Sequence, residues 1–319
     1  MKEIVIAQPL GITRELLESL ASGLKKEGWN LTAYDKVPSG QEELGKRIEG
    51  ADIAVIANYP LKKEALEKAS SLKYLCVAFT GVDHVDISYC KERHIAVSNC
   101  AGYSTESVVQ CTFAMLFYLL HSSRYYDDFV KSGQYSASHM FTHISREFWE
   151  LNDKNFGIIG MGTIGRRVAD VASAFGVKVF YYSTSGNNLK GKGYQHLPLE
   201  ELLCRADVVS IHCPLNNRTR NLLTEEKLRL MKPSAYLLNM GRGGIVEESA
   251  LARAIDESWI AGAGLDVLTS EPIAHNSPLL KVRRKERLFI TPHIAWASKE
   301  ARHRLITRTA ENIKNYFHL

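Results

Sequence analysis

Short β-branched and aliphatic runs alternate with segments of helical period along almost the whole 319-residue chain. That alternation is the mark of βαβ units, in which helices cover both faces of a parallel sheet, so the expected class is α/β with doubly wound parallel sheets. The length allows about two domains of roughly 150 residues each. In the first hundred residues the pattern predicts strands at Ile4 to Ala7, Leu31 to Tyr34, Ile53 to Ala57, Tyr74 to Phe79 and Ala96 to Ser98. Helices are expected near Thr13 to Lys26, Gln41 to Glu49 and Lys62 to Ser70. A long helix follows over Ser104 to Arg124, with Ser104 as N-cap and an apolar surface nearly all round from Val108 to Leu120, as a buried helix has. Periodicity then fails from Tyr125 to Leu151, where the aromatics Tyr125, Tyr126, Tyr135, Phe141, Phe148 and Trp149 suggest an arm that packs on something. A second series of strands is expected at Phe156 to Gly160, Lys178 to Tyr182, Val208 to His212, Ala235 to Met240, Gly262 to Val267 and Leu288 to Ile290, closed by an amphipathic helix over Ser298 to Tyr316.

Composition narrows the class of function. With 45% hydrophobic and 24% charged residues, disordered, collagenous and coiled-coil chains are excluded. The net charge of +5 is spread along the chain, so a nucleic-acid partner is not expected, and the basic run Lys281 to Arg287 reads as solvated surface. Six cysteines without a C-x-x-C pair fit a reduced, cytoplasmic setting. The apolar start Ile4 to Ala7 is too short for a signal peptide, and the most apolar stretch, Cys111 to Leu120, is too short to span a bilayer, so no membrane association is expected.

One motif carries a ligand. Gly160, Gly162 and Gly165 satisfy G-x-G-x-x-G between an apolar strand and a helix whose Ile164, Val168, Val171, Ala172 and Phe175 share one face. The first glycine permits a tight turn, the second lets a pyrophosphate approach the backbone and the third lets the helix pack closely, with free N–H groups at the helix N-terminus facing the anion. A carboxylate about twenty residues on ordinarily binds the ribose 2′-hydroxyl of NAD. Ser183 to Gly186 follow the expected strand instead, no acid appears before Glu200, and the nearest cations are Lys190 and Lys192. NAD and NADP are both left open as cofactors.

Together with this motif, Thr80 to Asp86, Gly102 to Glu106, Trp149 to Leu151, His212 to Arg220, Asn239 to Gly244, Gly264 to Val267, Glu271-Pro272 and Thr291 to Ala295 make the chain resemble the D-isomer-specific 2-hydroxyacid dehydrogenase family over nearly all its length. Within that family it is most similar to the glycerate dehydrogenases, also called hydroxypyruvate reductases. The resemblance implies a flavodoxin-like substrate-binding domain over residues 1–99 and 294–319, a Rossmann cofactor domain over 100–293, and a homodimer built through the cofactor domains. It further implies that Thr163 and Ile164 lie against the pyrophosphate, that Cys213 and Pro214 border the adenosine, that Met240 lies on the cofactor side, and that Asp266 holds the nicotinamide carboxamide. Ser183 stands where relatives carry the ribose-binding Asp.

Reducing a 2-keto acid takes a hydride, a proton for the carbonyl oxygen and a cation to hold the carboxylate. Arg242 offers a planar, permanently charged fork, and Gly241, Gly243 and Gly244 around it imply backbone packed close to a ligand. His293 offers a proton near neutral pH, and Glu271 a carboxylate to orient its ring. The resemblance implies that these three act together and that the backbone amides of Thr80, Gly81 and Val82 bind the substrate carboxylate. Cys213 has no implied base beside it and is not expected to be a nucleophile. The histidines lack metal-ligand spacing, and no metal is expected. The function expected is hydride transfer between a nicotinamide cofactor and a small D-2-hydroxy or 2-keto acid, with D-glycerate and hydroxypyruvate favoured. The alternative is a cofactor-binding regulatory protein of the same fold, similar to the corepressors that resemble this family; a formate dehydrogenase is the weaker third.

Overall fold

The computed structural model describes residues 2–26, 28–186 and 193–317. Two compact units are present, one made of Met1–Ser104 with Ala297–Leu319 and the other of Thr105–Trp296.

The first unit holds five parallel strands, β1 (Lys2–Ile6), β2 (Trp29–Ala33), β3 (Ile53–Ile56), β4 (Tyr74–Val77) and β5 (Ala96–Asn99), in the order β2-β1-β3-β4-β5. Every residue of β3 and β4 is buried, which explains their continuous apolar runs: a parallel strand covered on both faces has no wet side to alternate with. The last helix, Lys299–Tyr316, returns to this sheet. Ser298 caps it by accepting the Ala301 N–H at 3.2 Å. Its buried stripe of Ala301, Leu305, Ile306, Thr309 and Ile313 has the spacing of one helix face. Asn312 then donates to the Asn99 carbonyl at 3.0 Å, and Tyr74 Oη donates to the Asn312 carbonyl at 3.1 Å, tying the end of the chain to β4 and β5. Each buried Leu or Ile of that stripe contributes about 1.5–3 kcal/mol relative to exposure.

The second unit holds seven parallel strands, β6 (Asn155–Ile159), β7 (Lys178–Tyr182), β8 (Gln195–His196), β9 (Val208–Ile211), β10 (Tyr236–Asn239), β11 (Gly262–Leu265) and β12 (Leu288–Ile290), in the order β12-β11-β10-β9-β6-β7-β8. Counted within the unit this is the Rossmann order, and the direction of winding reverses between β6 and β9. Loops leaving the C-terminal ends of those two strands diverge, which opens a crevice for a ligand. Helix Thr105–Leu120 covers β10, β11 and β12, with nine of its residues buried. Gly264 makes room for it, since a Cβ there would lie 3.2 Å from that of Met115.

The structure departs from expectation in places. The helix expected to reach Arg124 stops at Leu120, and Ser122 takes a left-handed φ of +49° before a new helix, Ser123–Lys131. Serines compete with the helix for backbone hydrogen bonds, so His121-Ser122-Ser123 is a natural break. The segment expected to lack structure therefore begins with helices Ser123–Lys131 and Gln134–Ala137. None of their residues is buried; Phe129 instead stacks on the His143 ring with centroids 3.9 Å apart. Because the arm packs on itself, its pattern is not that of a helix facing a core. Helix Ile87–Glu92, capped by Asp86, was not expected, and the helix expected over Lys62 to Ser70 shortens to Lys63–Leu66. The first unit extends to Ser104 and resumes at Ala297, so residues 100–104 belong to it and 294–296 to the second unit. Ser107 Oγ donates to the Ala295 carbonyl, holding that end of the loop in the second unit.

Candidate active site

At the reversal point between β6 and β9 lies a cavity of about 590 Å³, with Gly160, Gly162, Ser183, Cys213 and Pro214 in its wall. Gly160 has φ +98°, and a Cβ there would lie 2.7 Å from the Cys213 backbone nitrogen. Gly165 packs so closely that a Cβ would meet the Gly160 carbonyl at 2.1 Å, whereas at Gly162 a Cβ would meet nothing within 4 Å. Two glycines thus close the turn, and the third leaves open space at the N-terminus of helix Thr163–Ala174, whose free N–H groups favour an anion. Thr163 and Ile164 form the first turn of that helix, and Met240 is buried in the core beside β10. This cradle fits a dinucleotide.

Ser183 in the wall of the cavity is 6% exposed, and its Oγ is buried without a hydrogen-bond partner. The sequence reading does not single out Arg218, yet its side chain lines the same cavity and Nη1 donates to the Ser185 carbonyl at 3.2 Å. Lys190 and Lys192 lie outside the described residues. Cys213 is buried, which pushes its thiol up to about 12, and it is no nucleophile at neutral pH.

Arg242, Glu271 and His293 come together at the C-terminal side of β10, β11 and β12. Asn239 sets the turn that presents Arg242: its Nδ2 donates to the Arg242 carbonyl at 2.9 Å and its Oδ1 accepts the Gly241 N–H at 3.1 Å. Glu271 Oε2 lies 2.7 Å from His293 Nδ1, while Oε1 accepts the Leu268 N–H at 2.9 Å. Burial pushes the Glu271 carboxyl up, but the His293 hydrogen bond and charge, the Leu268 N–H and the Arg242 charge outweigh it and hold the group below its usual value. An ionised carboxylate only accepts, so Nδ1 carries the hydrogen and Nε2 is the nitrogen left to exchange a proton.

His293 has φ +54°, a left-handed conformation that costs a β-carbon residue about 1–3 kcal/mol. Asp266 holds it there. Its buried carboxylate accepts from Thr291 Oγ1 at 2.7 Å, the Ile294 N–H at 2.8 Å and the Ala295 N–H at 2.9 Å, wrapping the loop round one anchor. The hydrogen bonds the structure gives Asp266 are therefore those of a residue that positions His293. Gly241 and Gly243 beside Arg242 are small for a reason other than the ligand expected from the sequence. A Cβ at Gly243 would lie 1.9 Å from the Leu268 carbonyl and one at Gly241 2.7 Å from the Cys213 carbonyl, so both are small because protein backbone, not a ligand, packs on them. Glu248, also not singled out from sequence, accepts the Thr269 N–H at 2.7 Å and steadies the loop that carries Glu271.

In the first unit, Thr80, Gly81 and Val82 form the loop after β4, where Asn99 Nδ2 donates to the Thr80 carbonyl at 2.5 Å. Asn58 and Tyr59 follow β3, and the Tyr59 N–H donates to Gln8 Oε1 at 2.9 Å. Tyr103 is only 1% exposed, its ring 6.2 Å from that of Phe79.

The family model described as the NAD-binding domain of D-isomer-specific 2-hydroxyacid dehydrogenases matches residues 113–295, more than half of the chain. The chain belongs to this family. It is an oxidoreductase, and its second unit is the nicotinamide-dinucleotide-binding domain. The dehydrogenase is 34% identical to a hydroxypyruvate reductase of Blautia hydrogenotrophica over 89% of this chain and 88% of that one. It is also 34% identical to a glyoxylate reductase of Korarchaeum cryptofilum over 95% of this chain and 90% of the other. Among solved structures it is similar to an acyclic imino acid reductase in complex with NADPH and D-arginine, with a TM-score of 0.88, 33% identity and coverage of 99% of this chain and 97% of that one.

Proposed function

We propose that this dehydrogenase reduces a small 2-keto acid to the D-2-hydroxy acid, reversibly, with hydroxypyruvate and glyoxylate as the favoured substrates. The observation that carries the reading is the Glu271–His293 contact of 2.7 Å with Arg242 close enough to act on the same carboxylate. When bound, the reduced nicotinamide supplies the hydride. Arg242 holds the substrate carboxylate in its fork and polarises the carbonyl. Glu271 steadies the ring and the positive charge it carries until His293 gives the proton on Nε2 to the carbonyl oxygen; the neutral ring then takes a proton from solvent. In the direction of oxidation, neutral Nε2 takes the hydroxyl proton.

The names of the two sequence relatives support a small, unbranched keto acid. The unit described by residues 1–104 and 297–319 serves the substrate, the unit 105–296 the cofactor. The arm offers Met140, Phe141, Ile144 and Phe148 to solvent, Phe141 being 90% exposed, and we assign this apolar surface to a second copy of the chain. A spectrophotometric panel of hydroxypyruvate, glyoxylate, pyruvate and branched 2-keto acids, each with NADH and NADPH, tests the reading. The first two should give the highest kcat/KM, and the absence of turnover across the panel would favour a cofactor-binding regulator instead.

A further inference from the structure

We propose that Arg218 and the turn Ser183 to Ser185 form a subsite for the 2′-phosphate of the cofactor, so that the dehydrogenase takes NADP(H) in preference to NAD(H). The inference rests on the assignment of the cavity to a nicotinamide dinucleotide and adds which of the two it selects.

The chemistry of the wall favours an anion at the ribose. A ribose diol is best held by a carboxylate, which accepts from both hydroxyls, whereas a phosphate needs donors and a cation. Among the described residues of the wall there is no carboxylate, and Arg218 is the one permanent charge. Ser183, the residue after β7, lines this cavity and has a buried, unpartnered Oγ, and Thr184 next to it lines the cavity too. His212 also borders the cavity, but burial lowers it to about 3, so it brings no charge at neutral pH.

Arg218 is held rather than dangling. The bond from Nη1 to the Ser185 carbonyl brings the guanidinium to the turn after β7, and no other partner for that side chain is present among the described residues. The loop that carries it is pinned from below: Asn216 Oδ1 accepts the Arg218 N–H at 2.9 Å, and Thr219, fully buried, donates from Oγ1 to the Pro214 carbonyl at 2.7 Å. A guanidinium so placed keeps a fork of N–H groups for phosphate oxygens, as Arg does where planar, bidentate recognition matters.

Equilibrium binding tests this without turnover. NADPH and NADH are titrated by cofactor fluorescence, and 2′,5′-ADP against 5′-ADP by calorimetry, with wild type, Arg218→Ala and Arg218→Glu. The wild type should bind NADPH and 2′,5′-ADP at least about tenfold more tightly than their counterparts without the phosphate. Arg218→Ala should lose about tenfold to a hundredfold for the phosphorylated ligands, the scale of one charge-assisted contact, and change NADH binding little. Arg218→Glu should invert the preference. Equal or tighter binding of NADH by the wild type, or equal weakening of both cofactors in Arg218→Ala, would overturn the subsite. Selective NADPH binding without turnover of any keto acid would leave the subsite standing and remove only the proposed reaction.

Discussion

Glu271→Gln isolates the charge that faces His293. The two side chains meet at 2.7 Å and each is about one-third exposed, at 31% for His293 and 32% for Glu271. Unit charges about 4 Å apart interact by about 4 kcal/mol at an effective dielectric of roughly 20, and partial exposure screens that to about half. Removing the anion takes away the charge that favours the protonated imidazole, so the midpoint of the kcat/KM profile should move to lower pH. The sign follows from the chemistry. Reduction needs the imidazole protonated, so kcat/KM for the keto acid is high below the midpoint and falls as pH rises through it. Oxidation needs the neutral ring and rises over the same range. In Glu271→Gln both midpoints should shift to lower pH, while reduction at pH values below them is retained. Gln brings one acceptor oxygen where Glu brings two, and Glu271 now serves both Leu268 and His293. Some loss of loop order should therefore lower kcat across the whole range without moving the midpoint. Profiles of kcat/KM in both directions for wild type and variant separate these effects; a midpoint that stays in place or moves up would refute the partnership.

Arg242→Lys keeps the charge but loses the fork, and kcat/KM should fall at least about a hundredfold with cofactor binding intact; near-normal activity would remove Arg242 from the reaction. Gly243→Ala would drive a Cβ to 1.9 Å from the Leu268 carbonyl, so the melting temperature and kcat should both drop, measured by thermal unfolding and steady-state rates. Phe141→Asp combined with Ile144→Asp should convert a dimer to a monomer in sedimentation velocity, and a wild-type monomer would contradict the assignment of the arm.

What was legible in the sequence follows from where each residue's partners lie. Runs such as Ile53 to Ile56 are readable because both faces of the strand are buried, and the glycine motif because its three constraints fall within six residues. Helix Ser123–Lys131 was not readable because its aromatics pack on His143 of the same arm rather than on a core. Arg218 was hidden because its neighbour Ser185 is 33 residues away and becomes one only when β7 and β9 flank β6. Asp266 was recognised as a site residue through the resemblance. That its carboxylate anchors the loop around His293, with three hydrogen bonds from Thr291, Ile294 and Ala295, needed coordinates.

The central claim, that His293 delivers the proton in a nicotinamide-dependent keto-acid reduction, is tested most directly by comparing wild type with His293→Ala on hydroxypyruvate. Consumption of reduced cofactor and the handedness of the product are followed together, and cofactor binding is measured separately. The account predicts that the wild type forms D-glycerate with either NADPH or NADH, and that His293→Ala binds cofactor normally while kcat falls by about a hundredfold to ten-thousandfold. An L product, or a His293→Ala enzyme as fast as wild type, would contradict it.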